Sequence, residues 1–498
     1  MKNHYDVIII GAGLGGLTAG LILSKAGKKV LLLEQHNKVG GYATNFKRKG
    51  FTFDVSLHNF GPIEEDKNLY NIFRKLGILG SLNYQGFDEF QRIVFPDFDF
   101  VIKKGITSFA SKLYELFPEE KKGINNYLNT VKEIYNELDE INNSHIPVDR
   151  LQEKYPMLPL RFPNLVKLVD TTLNELLAQN IKNKKLWSII TNLWWICGLP
   201  PSELASILYT FPLMKYYEFS GGIIRGTSQH LSNLLAEKIQ ENNGNILLKE
   251  EAVEITFEDN RVSGIKTLSG KTFKSPLIVS NASAYDTIRK MIDEKNIKRK
   301  FRRRISGAEI SISAMQLYLG LDCNPEKLGM KNHSISLYET YDHEKCYQDI
   351  LSGNHEKTFL CMTNYSDFND GGNVLIGMTL DHIKNWENLS RDEYKKRKDK
   401  MKTLLIRKIE KIIPDLSPHI LVAELATPLT MKRYTKNTDG AIYGFSHSTG
   451  QSGVNRPANK TPVEGLYLAG AYTYPGAGYS SVILSGYEAA NQILNEQK

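Results

Sequence analysis

The chain has 498 residues, of which 41% are hydrophobic and 24% charged, with a net charge of +8. At roughly 150 residues per domain it is long enough for two or three domains, and its composition excludes a globally disordered chain. Four scattered cysteines without a C-x-x-C pair, and eleven histidines without ligand spacing, point away from a disulfide framework and from a bound metal. No run reaches the ~20 apolar residues that span a bilayer.

In chain order, the first element is a β-branched run at residues 7–10, suited to a buried parallel strand. Gly11, Gly13 and Gly16 follow as G-x-G-x-x-G. The first permits a tight turn, the second lets backbone approach a pyrophosphate, and the third lets the next helix pack on the strand. Leu17, Leu21 and Ser24 continue that helix, and Gly27 suits its C-terminal cap. A second strand at residues 30–33 leads to Glu34, 23 residues after Gly11, where a carboxylate accepts from ribose hydroxyls. Glu34 favours an unphosphorylated ribose over NADP. Strand, helix and acid together supply the context that the fingerprint requires. Five glycines within residues 7–23 make this stretch a cofactor turn rather than a signal-peptide core. Free thiols and no credible signal peptide lead to an expected cytoplasmic location. Gly40-Gly41, just after the second strand, lets a long cofactor run on towards a flavin ring, which an ordinary NAD dehydrogenase does not need.

After Pro62 the pattern changes. Residues 91–102 alternate like one strand, and residues 108–141 read as two helices with Leu113, Leu116, Tyr127, Val131, Ile134 and Leu138 on apolar faces. Residues 186–219 hold three of the four tryptophans, Trp187, Trp194 and Trp195. They suit a hydrophobic tunnel, a monotopic membrane contact or a helical core wall. Gly221-Gly222 opens a helix, which Thr227 or Ser228 caps, and then a meander with turns at Asp259-Asn260 and Ser269-Gly270. Residues 295–304 carry seven basic side chains in ten. These form either a solvated helix face or a contact with anionic headgroups; no nucleic-acid module accompanies them. Residues 311–321 and 358–364 read as strands.

Near the C-terminus, residues 466–469 read as a last parallel strand, and Gly470 exposes backbone at the sheet's carboxyl edge, where ligands bind in open α/β sheets. Pro475 is expected to begin a helix with Ile483, Tyr487, Ala490 and Leu494 at helical spacing and a small face of Gly486, Ala489 and Ala490. A helix start carries about half a positive charge and free N–H groups. Set against the pyrimidine end of a flavin, residues 476–479 would stabilise its reduced, anionic form.

Gly11, Gly13 and Gly16, Gly40-Gly41, Phe53-Asp54 with His58, Gly221-Gly222, Ser280-Asn281-Ala282, Thr427-Pro428 with Arg433-Tyr434, and residues 470–478 together resemble the phytoene desaturase-type flavoproteins. That group holds carotenoid desaturases, carotenoid cis–trans isomerases and retinol saturase, within the amine-oxidase-like superfamily. One departure is Ser56, where the isomerase–saturase branch usually has glycine. The resemblance implies an α/β fold: a discontinuous Rossmann-like FAD-binding domain (residues 1–65, 221–295 and 431–498) with a mixed α+β substrate domain inserted as residues 66–220 and 296–430. It implies non-covalent FAD held by Gly11, Gly13, Leu14, Gly15, Gly16, Glu34, Gln35, Gly41, Tyr42, Ala43, Thr44, Val253, Asn281, Gly470, Ala471, Gly478, Tyr479 and Ser480, with Val253 at the adenine. His58, Arg433 and Tyr472 are the expected acid–base or head-group residues, with Tyr42, Tyr474 and Tyr479 beside them.

The implied activity is hydride transfer at C–C or C=C bonds of a hydrophobic polyene, carotenoid- or retinoid-like, or a related lipid, with peripheral contact at the inner face of a membrane. The alternatives are a redox-neutral cis–trans isomerase that needs reduced FAD, an amine oxidase, and a non-catalytic lipid-binding protein. No cysteine near the C-terminal signature offers covalent flavin attachment, and Tyr42 alone makes no aromatic cage.

Overall fold

A computed structural model describes residues 3–63, 67–368 and 371–497. Five parallel strands form one sheet in the order Leu466–Leu468, Ile278–Ser280, Val7–Ile10, Val30–Glu34, Asn245–Leu248. The chain thus starts the sheet at its centre, builds outward to one edge, returns, and completes the other edge with its last strand. The four strands other than the edge strand Asn245–Leu248 are buried on both faces because both are covered. Val7, Ile9, Val30 and Leu32 face a layer of helices, Leu14–Lys25, Ser228–Glu241 and Tyr479–Glu496. Ile8, Ile10, Leu31 and Leu33 face an antiparallel meander, Ala252–Glu258, Arg261–Thr267 and Thr272–Lys274.

The helix layer closes tightly at two points. A methyl on Gly16 would fall 2.1 Å from the Gly11 carbonyl oxygen, and one on Gly486 would fall 2.1 Å from that of Gly15. The first and last helices therefore touch through backbone, at the small face expected of the C-terminal helix.

A second sheet has seven strands in the order Ile420–Ala426, Ser313–Leu321, Asn373–Asp381, Leu360–Asn364, Ser334–Leu337, Glu89–Phe95, Phe98–Lys103. It joins two distant parts of the chain through one parallel pairing, Ser334–Leu337 against Glu89–Phe95. Along Ser313–Leu321, Met315, Leu317 and Leu319 pack under the helix Arg391–Ile409, while Ala314, Gln316 and Tyr318 face a cavity. The helices between residues 106 and 219 roof that cavity. The fold is α/β, a discontinuous Rossmann-like domain with a mixed α+β domain inserted. The expected boundary between residues 65 and 66 lies outside the described residues.

Several local expectations change. Residues 91–102 are not one strand but a hairpin around Pro96-Asp97, because proline cannot donate to a ladder. The C-terminal helix starts at Tyr479 rather than at Pro475: Gly476 at φ +127° and Gly478 at φ +99° adopt backbone that no α-helix contains. Thr227 stands at the N-cap of the helix Ser228–Glu241, but its side chain does not cap; the buried carboxylate of Asp54 accepts from the Ser228 N–H at 2.6 Å instead. Trp194 is fully buried and Trp195 is 5% exposed, so neither is available to a membrane. In the basic stretch, Arg302 pairs with Glu294 and Arg304 donates to the Asn455 carbonyl, with only Ile305 of that helix buried. None of the described helices is long and apolar enough to cross a membrane.

Two buried histidines staple loops to the core. His343 donates from Nε2 to the Ser188 carbonyl, and His447 donates from Nδ1 to that of Cys197. Burial lowers His343 to about 4 and, with Arg456 beside it, His447 to about 3. The unfolded chain takes up these protons below pH ~6.5 and the native state does not, so stability is lost as pH falls from there towards 4. Each such histidine steepens the loss by up to about 1.4 kcal/mol per pH unit. Thermal unfolding followed from pH 7 to 4 is expected to show this fall, less steep by about one proton in His447→Gln. Gly486→Ala is expected to cost about 1–3 kcal/mol by overpacking, read as a lowered unfolding midpoint at pH 7.5; an unchanged midpoint would mean that the two helices part freely.

Candidate active site

One cavity of about 1310 Å³ runs between the two sheets. At one end it begins where the parallel strands stop, at Gly11, Glu34, Asn281 and Gly470. The Glu34 carboxylate accepts from the Ala12 and His36 N–H groups, both at 2.8 Å, which fixes it at the strand end with lone pairs to spare. The side chain of Asn281 fills the gap between three glycines: methyl groups on Gly13, Gly15 or Gly470 would lie 2.5–2.8 Å from its amide. Two helices open onto the cavity with their first turns. The N–H groups of residues 14–16 and 479–481 make no backbone hydrogen bond to the described chain, as helix starts require unless a ligand or side chain is supplied.

Of the residues expected at the cofactor, Gly11, Gly13, Leu14, Gly15, Glu34, Gln35, Gly41, Tyr42, Ala43, Thr44, Asn281, Gly470, Ala471, Gly478, Tyr479 and Ser480 line this cavity. Gly16 and Val253 do not. Gly16 is used up in packing on Gly11, and at the meander the wall is made by Glu250, Glu251 and Ala252.

The three expected acid–base or head-group residues, His58, Arg433 and Tyr472, all line this cavity, at separate places along it. Arg433 is exposed at the Glu34 end, its guanidinium over Tyr434, whose carbonyl accepts from Gln35. Tyr472 lines the cavity while packing edge-on against Phe445, and its hydroxyl has no partner among the described residues. His58 alone stands where the cavity meets the seven-stranded sheet. Its Nδ1 is 2.9 Å from Thr363 Oγ1 and its Nε2 is 3.3 Å from Gln316 Nε2. Gln316 Oε1 accepts from the Tyr318 hydroxyl at 2.6 Å, so its N–H₂ faces His58. That orientation leaves Nε2 as acceptor and puts the ring proton on Nδ1, donated to Thr363. Burial, with His333 next to it, lowers His58 to about 4 and keeps the ring neutral.

Ser56, the departure noted above, has a partner. Its hydroxyl donates to the Tyr42 carbonyl at 2.9 Å and lies 3.0 Å from the Tyr479 hydroxyl, a bridge between two signature segments that glycine cannot make. Sequence reading missed other contributors. Asp54 accepts from the N–H groups of Ser56 and Leu57 as well as Ser228, and so sets the loop that carries His58. Arg456, 1% exposed, donates to the carbonyls of Tyr443, Phe445, Ser446, Gln451 and Ala471. Gln316 had one available signal: it is the one amide in an otherwise apolar strand run.

Beyond His58 the wall turns apolar, with Leu193, Trp195, Ile207, Phe211 and Tyr216. A few buried polar atoms in it have no partner among the described residues: Gln91 Oε1, Trp195 Nε1 and His447 Nε2. A long dinucleotide with a flat ring fits the first part of the cavity. Glu34 suits ribose, the open helix starts suit phosphates, and the approach of Gly41 to Gly13 leaves backbone rather than side chains along the path.

Comparison with known proteins agrees. The family described as flavin containing amine oxidoreductase matches residues 14–494. Prolycopene isomerase 1 (chloroplastic) of an Oncidium hybrid cultivar is 25% identical over 519 residues, covering 99% of this chain and 84% of that protein. All-trans-retinol 13,14-reductase of Danio rerio is 23% identical, covering 99% and 87%, and 4,4'-diaponeurosporene oxygenase of Staphylococcus aureus (strain MW2) 24%, covering 99% and 98%. Among solved structures, an oxidoreductase from Methanosarcina mazei aligns with a TM-score of 0.62 at 16% identity, over 98% of this chain and 99% of that one. Putrescine oxidase bound to putrescine aligns at 0.65 and 12%, over 99% of both, and these two speak for the fold alone. The chain belongs to the flavin-containing amine oxidoreductase family and is an FAD-dependent oxidoreductase.

Proposed function

We propose that this enzyme adds hydrogen to, or removes it from, a carbon–carbon bond of a long hydrophobic polyene of carotenoid or retinoid type, or a related lipid. The observation that carries the reading is the single cavity, polar and glycine-lined at its cofactor end and apolar beyond His58. The similar proteins named for prolycopene, retinol and diaponeurosporene support the substrate class.

FAD, when bound, supplies a two-electron hydride acceptor or donor. Glu34 would hold the ribose. The helix starts at residues 14–16 and 479–481 would hold phosphate and flavin oxygens, and residues 41–44 would line the path between them. The apolar wall excludes water from the reacting carbon. His58 is the residue proposed to move the proton, at Nε2. It presents an uncharged ring, and Thr363 and Gln316 fix its orientation. The three segments 1–65, 221–295 and 431–498 are proposed as the cofactor unit, and 66–220 and 296–430 as the substrate unit. Met157 at 63% and Leu160 at 74% exposure support a peripheral membrane contact through the short helices beside Lys121–Ser144, and four free thiols support a cytoplasmic location.

Mixing the FAD-loaded enzyme with polyenes under anaerobic conditions tests the reading. Loss of the oxidised flavin's absorbance with a substrate, or its return when the reduced enzyme meets a more unsaturated one, is expected. If no polyene changes the flavin while an added reductant switches on geometric conversion, the enzyme is a redox-neutral isomerase instead. Peroxide release with amines alone would make it an amine oxidase. For His58, a base lowered to about 4 is active when unprotonated. Flavin reduction should therefore be flat from pH 8 to about 5.5 and fall only below that. His58→Phe should slow it by about 100-fold at unchanged FAD content, and an inflection near pH 6.5 or an undiminished rate would remove His58 from the role.

A further inference from the structure

Where the helices Lys121–Ser144 and Ser206–Phe219 meet, the apolar part of the cavity contains one cation with nothing bound to it. Lys215 lines the wall between Phe211 and Tyr216, its ammonium 5.1 Å from the centre of the Phe211 ring. It forms no ion pair and no hydrogen bond among the described residues. The anion that acts on it is Asp139, which lies 3.4 Å from Lys67 and is shared with it. The three side chains sum to one positive charge. Lys67 is 42% exposed, so this cluster extends from the cavity wall towards solvent.

A second donor stands on the same helix face, one turn from Asp139. Asn142 is 8% exposed; its carbonyl accepts from Asn68 Nδ2 at 2.8 Å and its Oδ1 accepts from the Tyr474 hydroxyl at 3.0 Å. With Oδ1 committed, the Asn142 amide turns Nδ2 away from Tyr474, and that N–H₂ has no acceptor in the described chain. The lining thus offers donors from Lys215 and Asn142 in a largely apolar wall, whose other polar atoms without a partner among the described residues include Asn68 Oδ1, Gln91 Oε1, Trp195 Nε1 and His447 Nε2.

We propose that this corner is a head-group subsite for a carboxylate, so that the cavity is built for an apolar chain with an acidic end and not for a plain hydrocarbon. The proposal rests on the polyene reading above and narrows it. A carboxylate accepts only, through two oxygens, and so suits a wall that offers an ammonium and an amide N–H₂. It also neutralises the surplus charge. An alcohol leaves the ammonium uncompensated, and a hydrocarbon leaves both donors desolvated and unpaired. A phosphate or diphosphate brings more negative charge than the single surplus cation offsets. Burial has already lowered Lys215 to about 8, as expected of a cation whose counter-ion arrives with the ligand.

The test is a fluorescence titration of the FAD-loaded enzyme at pH 7.5 with cis-parinaric acid, a polyene carboxylic acid, and with its methyl ester. The acid should bind at least about tenfold more tightly than the ester, the size of one charge-assisted hydrogen bond. Lys215→Met should erase that preference and leave ester affinity within about twofold and FAD content unchanged. Lys215→Arg should keep it. Asp139→Asn, which removes the competing anion, should strengthen acid binding alone, and it serves where Lys215→Met fails to fold. Equal binding of acid and ester by the wild type, or an intact acid preference in Lys215→Met, overturns the subsite while leaving the polyene reading in place. Binding of neither probe overturns both.

Discussion

The backbone contact between the first and last helices governs the rest of this structure. Because Gly486 has no side chain, the helix that follows the last strand lies directly on Gly15, and its first turn opens beside that of the helix Leu14–Lys25. Two helix starts, more than 460 residues apart in sequence, thereby face one cavity. Each carries unpaired N–H groups and about half a positive charge. A methyl at Gly486, 2.1 Å from the Gly15 carbonyl oxygen, would push the helices apart by about an ångström and move one set of donors off the cofactor path.

A contrast of charge follows from the layout. Around His58, three titratable groups are held neutral: His58 and His333 by burial, and Tyr479 by burial with the Asp54 carboxylate near it. Fixed charge enters through backbone instead, from helix starts and from Arg456, whose guanidinium is spread over five carbonyls. A redox centre surrounded in this way keeps its electrostatic environment across a wide pH range, because few neighbours gain or lose protons as conditions change. Lys215, in contrast, is a mobile cation on a flexible stem, suited to recognising a ligand rather than to tuning a cofactor.

What was legible in the sequence was local. The strand–turn–helix with Glu34 at its end, the glycine pair at Gly40-Gly41 and the small face around Gly486 each place their residues within a few positions of one another. Local turn chemistry and period then determine the geometry. The loop at Gly476 and Gly478 was misread as helix because proline at a helix start and proline in a loop look alike until the glycines' φ values are known. Where His58, Arg433 and Tyr472 stand along the cavity was not legible for a different reason: a motif states which residues occur, not which way each side chain leaves the backbone. The partners of His58 were invisible because Gln316 and Thr363 come from strands paired across the larger sheet, where only the register decides which residues face the cavity. Asp54 was seen as part of a signature, but its work in fixing the His58 loop depends on the start of a helix at Ser228.

The order in which the central sheet is assembled has a consequence for biosynthesis. Its middle strand is Val7–Ile10, yet its outer strand Leu466–Leu468 and the helix covering it follow only after the whole inserted domain. At roughly 5–20 residues per second, the ribosome works for tens of seconds on a chain whose first βαβ unit lacks one neighbour and half of its roof. During that interval the apolar faces of Ile9 and Leu17 have no permanent cover. Early docking of Ser228–Glu241 is the first cover available to the helix Leu14–Lys25, and the cofactor site lacks the donors of residues 479–481 until their helix has been made.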